Sequence, residues 1–300
     1  MKILYGVGRI KKLCRPVVAL GVFDGLHLGH RNILQATVKK ARQIKGTSLV
    51  LTFFPHPQGK ESLYSLEHRL RLIAELGVDV CIVVNFTRSF AKISAQDFIA
   101  KILVEKIQVN FVYVGRNFCF GNQALGNYKL LAASAKKYKF RLKVFEVVKS
   151  AGLTVSSTVI RRLIKNSEII KAQALLGRRV SVLGTVIRGS RLGRLLGFPT
   201  ANIEAHHEVI PPAGIYAVQI VIFKKKYNGV CYIGKRPTIH LKKRVMRIEV
   251  HLFDFHKNIY GLVLEIQFIK LIRQDRKFTS LKDLSTQIQK DIIACRKILV

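Results

Sequence analysis

The chain of 300 residues has no tryptophan, two methionines, and 17 acidic residues set against 52 lysines and arginines. The shortage of acid leaves a formal net charge of +35, a field that attracts any polyanion from a nucleoside triphosphate to RNA. Cysteine is also scarce. Cys14, Cys81, Cys119, Cys231 and Cys295 are scattered, odd in number and never spaced C-x-x-C, which argues against a zinc ribbon or dithiol redox motif and for reduced, structural thiols. No apolar run approaches the roughly 20 residues of a membrane-spanning helix. The opening Met1-Lys2-Ile3-Leu4-Tyr5-Gly6 lacks the apolar centre of a signal peptide. A cytoplasmic protein without a membrane partner is expected. Internal repeats, low-complexity tracts and RNP, KH or C2H2 signatures are missing too. The basic residues run through every segment and include surface-helix positions such as Lys39, Lys40, Lys136 and Lys137, as solvated faces do. No specific nucleic-acid partner is therefore expected despite the charge.

With 49% hydrophobic and 23% charged residues, the chain can bury the core of one large domain or two ordinary ones. Residues 17–23 form an apolar run ending in Asp24-Gly25, followed by helical spacing at Ile33, Leu34, Ala36 and Val38. Similar runs recur at 47–53, 80–84, 111–115 and 142–145, with helical stretches between them. The alternation predicts an α/β domain with a doubly wound parallel sheet, whose ligand site lies beyond the carboxyl ends of the strands. After Gly152 the texture changes. Ser156-Ser157 reads as a helix cap, and a second helix runs from Ser167 to Leu175-Leu176-Gly177, where we place the boundary between domains 1–177 and 178–300. Strand-like alternation follows at 180–186, 216–220, 247–252 and 263–268, with Asn228-Gly229 read as a turn. Closed by a helix over 281–298, these strands predict an antiparallel β-barrel.

The motifs lie where those folds put ligands. Phe23-Asp24-Gly25-Leu26-His27-Leu28-Gly29-His30 follows the first strand, with two histidines straddling a glycine at a helix start. Free backbone N–H groups and the helix dipole make this a seat for a triphosphate, and the imidazoles add donors. By itself H-x-G-H also fits structural histidines or half of a zinc site. Thr52-Phe53-Phe54-Pro55-His56-Pro57, Gly115-Arg116-Asn117-Phe118-Cys119-Phe120-Gly121 and Ser156-Ser157-Thr158-Val159-Ile160-Arg161 also follow predicted strands or open a helix. Farther on, Gly193-Arg194-Leu195-Leu196-Gly197-Phe198-Pro199-Thr200-Ala201-Asn202 leads a glycine-rich loop into oxygen ligands of the kind that suit magnesium. Glu249, in an otherwise apolar strand segment, is the candidate general base, with pairing to Arg247 or a lysine as the plain alternative.

H-x-G-H after a strand resembles the nucleotidylyltransferase superfamily, and no Lys-Met-Ser-Lys-Ser string follows to suggest an aminoacyl-tRNA synthetase. Taken together, the motifs resemble the bacterial bifunctional riboflavin kinase/FMN adenylyltransferase (FAD synthetase) family over nearly the whole chain. G-F-P-T-A-N at 197–202 is the most specific string. Further similar segments are Ile210 to Tyr216, Gly234-Lys235-Arg236-Pro237-Thr238, Asp254-Phe255, Tyr260-Gly261 and Arg273 to Phe278. The resemblance implies a nucleotidylyltransferase-like first domain, a riboflavin kinase-like barrel, and ATP, riboflavin, FMN and FAD as substrates or products with Mg2+.

Residue by residue, the resemblance assigns Phe23, Asp24, Gly25, His27, Gly29, His30, Asn117, Ser156, Ser157, Thr158 and Arg161 to ATP in the adenylyltransferase half. Pro55, His56, Pro57 and Asn117 line its FMN site. In the kinase half Gly193, Gly197, Phe198, Pro199, Thr200 and Asn202 hold Mg-ATP, with Thr200 and Asn202 on the metal. Glu249, Arg273 and Asp275 face the flavin. His27, His30 and Glu249 are the catalytic candidates. Asn117 stands where many relatives have Asp, Tyr232 where they often have Asn, and Asp275 where they often have Glu. A monomer or weak homo-oligomer acting on small molecules is expected.

Overall fold

The computed structural model describes residues 1–8, 10, 12–59, 61–189, 192–235 and 246–299. Arg236, Pro237 and Thr238, part of one kinase-like segment, lie outside the described residues. The chain divides into two compact units, residues 1–62 with 66–157 and residues 63–65 with 158–300.

The first unit is built on β1 (Lys2–Tyr5), β2 (Val17–Leu20), β3 (Ser48–Phe54), β4 (Val80–Asn85), β5 (Phe111–Gly115) and β6 (Arg141–Phe145), ordered β1-β4-β3-β2-β5-β6. Every pairing is parallel. Val17, Val18, Ala19, Leu49, Val50 and Leu51 are 0% exposed, which is why these strands read as unbroken apolar runs: helices cover both faces. On one face α1 (Leu28–Gln43) buries Ile33, Leu34, Val38 and Ala41. α2 (Leu66–Glu75), α3 (Arg88–Ala91) and α4 (Ala95–Asp97) follow, and α4 runs on into π-helical turns over Phe98–Lys106. Phe98, Ile102 and Leu103 from those turns and Leu131 from α5 (Tyr128–Tyr138) pack with Val18, Leu20, Val112 and Val114. The chain order reverses about β2, so the crevice beyond its carboxyl end is the switch point at which such sheets bind ligands. β1, a short edge strand with Tyr5 71% exposed, has no periodic signal and was not expected from the sequence. β7 (Lys149–Ser150) and β8 (Leu153–Thr154) form a separate ribbon.

α6 (Ser157–Lys165) crosses the division between the units, and α7 (Ile169–Leu176) ends at Gly177 in the left-handed conformation. The second unit continues with β9 (Val180–Ile187), α8 (Leu192–Leu195), β10 (Ala201–Ala205), β11 (Gly214–Ile222), β12 (Lys225–Lys235), β13 (Met246–Leu252), β14 (Val263–Gln274) and α9 (Leu281–Ile298). The strands close antiparallel in the order β10-β13-β12-β11-β14-β9, so the barrel has no free edge. Val182, Tyr216, Val218, Ile220, Ile266 and Phe268 are 0% exposed, while Ile215, Ala217, Val230 and Phe253 pack with Cys295 of α9. Asn228-Gly229 is not a turn. It lies inside β12, where a Cβ on Gly229 would stand 2.4 Å from the carbonyl oxygen of His251. The hairpin turns instead at Phe223 and Lys224, both at positive φ.

Candidate active sites

The end of β2 leads into a tightly wound turn, with Phe23 at φ 53° and Asp24, Gly25 and His27 buried. His27 caps α1, its Nδ1 accepting from the His30 N–H at 3.3 Å. The two imidazoles stack with centroids 3.6 Å apart, and the Phe23 ring meets His30 edge-on at 5.3 Å. Both histidines thus share one face of the helix start. His30 Nδ1 is buried, and desolvation, followed by the nearby His27 and Arg69, holds its pKa well below the ordinary histidine value. His30 is accordingly neutral at pH 7.

Arg69 of α2 lies beneath this turn, 4% exposed, a cation that no sequence motif marked. It donates to the carbonyls of Val22 at 2.6 Å and Phe53 at 3.2 Å, tying the ends of β2 and β3 together, and Asp24 offsets part of its burial. Thr52 adds a bond from its hydroxyl to the same Val22 carbonyl at 2.9 Å. After β3, Pro55, His56 and Pro57 sit at the surface, and His56 Nδ1 accepts from the Gln58 N–H at 3.1 Å, so this ring shapes its own loop. Asn117 is exposed beyond β5. Ser157 does more than begin a helix: its hydroxyl donates to the Asp24 carbonyl at 2.8 Å and joins the two motifs. Ser156 precedes it, while Thr158 and Arg161 occupy the first turns of α6, on the second unit's side of the division.

In the barrel, Thr200 precedes β10 and donates its hydroxyl to Glu249 Oε2 at 3.1 Å. Asn202 lies in register opposite Glu249, and its side-chain oxygen accepts from Arg247 Nε at 3.3 Å. Glu249 also pairs with Arg247, so the plain alternative holds in part: the carboxylate is paired, yet it faces a cavity instead of an apolar interior. That cavity, about 250 Å³, is lined by Gly193, Phe198, Thr200, Glu249, Arg273 and Asp275 among others. A second cavity of about 480 Å³ is lined by Pro199, Thr200, Ala201 and residues 255–260. Thr200 lines both. The loop leading to it is braced by the Phe198 N–H to the Gly193 carbonyl at 2.7 Å and by His251 Nδ1 to the Pro199 carbonyl at 2.8 Å, with Gly197 at positive φ. Arg273 is clamped by Asp291 through contacts of 2.8–3.1 Å, a partner on α9 that no motif marks.

Comparison with known proteins matches residues 9–159 to the FAD synthetase family model and residues 176–299 to the riboflavin kinase model. The bifunctional riboflavin kinase/FMN adenylyltransferase of Haemophilus influenzae is 38% identical over 96% of this chain and 95% of its own. The chain belongs to the bifunctional riboflavin kinase/FMN adenylyltransferase family. Members from Bacillus subtilis and Escherichia coli are 36% and 34% identical, covering 92% and 99% of this chain and 90% and 97% of theirs. The family activities are phosphorylation of riboflavin to FMN and adenylylation of FMN to FAD, and the two halves occur here in the family's order. A solved Streptococcus pneumoniae structure described as a macrolide-efflux protein superposes with a TM-score of 0.84 at 28% identity, covering 97% of each chain. Among the described residues, no helix of this chain is long and apolar enough to cross a membrane.

Proposed function

We propose that adenylylation runs at the His27/His30 turn and phosphorylation at the Thr200–Glu249 contact. The carrying observation for the kinase half is that the two barrel cavities share Thr200 with the Glu249 carboxylate beside it. ATP occupies the larger cavity and the flavin the smaller, with Arg273 and Asp275 on the flavin side. Glu249 accepts the proton of the ribityl 5′-hydroxyl as that oxygen attacks the γ-phosphorus; the new O–P bond forms, the bond to the β-phosphate oxygen breaks, and ADP leaves. Phe198 and Pro199 hold the loop, and Gly193 lets it pack closely on Thr200, since a Cβ there would stand 2.9 Å from Thr200 Oγ1. The oxygens of Thr200 and Asn202 fit a hard divalent cation. These two residues would hold Mg2+, which when bound would supply charge neutralisation at the transferring phosphoryl group.

At the other site, Phe23, Asp24, Gly25 and Gly29 shape the ATP seat, and His27 with His30 hydrogen-bonds the phosphates. Ser156, Ser157, Thr158 and Arg161 hold the leaving pyrophosphate, as hydroxyls and an arginine at a helix start suit. Pro55, His56, Pro57 and Asn117 border FMN, whose phosphate oxygen attacks the α-phosphorus directly; no side-chain nucleophile takes part. Residues 1–177 carry adenylylation and 178–300 phosphorylation, in a cytoplasmic monomer or weak homo-oligomer. The five free cysteines support a reducing compartment.

The test crosses two variants. His27→Ala given riboflavin makes FMN but little FAD, and Glu249→Ala makes FAD from supplied FMN but little FMN from riboflavin. Equal loss of both activities in either variant contradicts the assignment.

A further inference from the structure

The segment 275–280 joins β14 to α9, and its first four residues supply Asp275, Arg276 and Phe278 to the 250 Å³ cavity. Its hydrogen bonds come from two sides. Arg276 donates to Gln287 of α9 at 2.5 Å, and its guanidinium and that of Arg273 lie over the Phe278 ring. The tie from the barrel wall is Tyr232 of β12, whose hydroxyl donates to Asp275 Oδ2 at 3.3 Å. Tyr232 is opposite Glu249 on β13 and Ile215 on β11, and all three line the cavity. The ring lies back over Gly234: a Cβ at position 234 would meet the Tyr232 hydroxyl oxygen at 2.0 Å. Glycine two residues on is thus the steric condition for the hydroxyl to reach Asp275. Tyr232 and Asp275 are the two positions at which the barrel half departs from the pattern its motifs resemble, and they touch each other.

We infer that Tyr232 is a positioning residue for riboflavin phosphorylation, pinning Asp275 so that residues 275–278 stand as a wall against the bound flavin. The inference rests on the smaller cavity being the flavin seat. Without the pin the wall must be ordered at each binding event, which raises the riboflavin KM and leaves the transferring phosphate untouched.

Tyr232→Phe removes only the hydroxyl; the expected result is a rise of about fivefold in riboflavin KM, the loss of one polar contact, with kcat and the ATP KM within about twofold. Gly234→Ala, which displaces the hydroxyl but keeps it, raises the same KM. Tyr232→Phe combined with Asp275→Ala is no worse than Asp275→Ala alone. A wild-type kcat at saturating riboflavin, with an unchanged circular-dichroism spectrum, reports that the barrel of each variant is folded. Unchanged riboflavin KM in Tyr232→Phe, or effects that add in the double variant, overturns the pin. Ile288→Trp, which fills the cavity from α9, separates the two ideas: if it leaves riboflavin binding untouched, the flavin seat itself is wrong and the pin falls with it. If it abolishes riboflavin binding while Tyr232→Phe behaves as wild type, only the pin fails.

Discussion

The Thr200 hydroxyl, just before β10, donates to Glu249 Oε2 of β13 at 3.1 Å, and Thr200 lines both cavities of the barrel half. One hydroxyl thereby contacts the carboxylate and borders both cavities. Glu249→Gln keeps the shape and loses the proton acceptor. Riboflavin phosphorylation is expected to fall about 10²–10⁴-fold, the range for a positioned general base, with adenylylation of supplied FMN unchanged. Steady-state assays with each flavin check it.

Ser157 and Asp24 supply the matching link in the sheet half. Ser157→Ala removes the donor to the Asp24 carbonyl and leaves that buried residue less well held. FAD formation from FMN should drop about tenfold, as for one hydrogen bond in a buried setting, while FMN formation from riboflavin stays at the wild-type rate.

His30 sets a pH dependence of stability. Its folded pKa lies below the ordinary value of 6.5, so the unfolded chain binds a proton there that the folded chain does not. Stability from this group is complete above pH 6.5 and is lost as pH falls through the window below it. Thermal melts should show wild type losing more stability between pH 7.5 and 5.5 than His30→Asn. An equal loss in both would remove His30 as the source.

Arg69 holds two carbonyls at the ends of β2 and β3 from a nearly dry position. Arg69→Met leaves them without that donor and takes a cation from beside Asp24. A loss of about 3 kcal/mol in unfolding free energy is expected, within the range for breaking a buried charged contact, measured by denaturant titration.

The buried parallel strands were legible as apolar runs because helices on both faces demand them, and the closing helix of the barrel because its period and capping are local. Edge strand β1 was not, since four half-exposed residues carry no period. Asn228-Gly229 misled because the same dipeptide serves a turn or a close strand approach, and the hairpin's left-handed residues, Phe223 and Lys224, carry no turn signature. In the sites, His27, His30, Thr200 and Glu249 were visible as motifs with a chemical reason. Arg69 and Asp291 were not, because each acts through a partner distant in sequence that only the folded chain brings near.

The most direct test of two reactions at two sites is a time course of the purified chain with riboflavin, ATP and Mg2+, following both flavins. FMN should rise first and FAD follow, with one ADP and one pyrophosphate released for each FAD. Accumulation of FMN with no FAD, or the persistent absence of both, would contradict it.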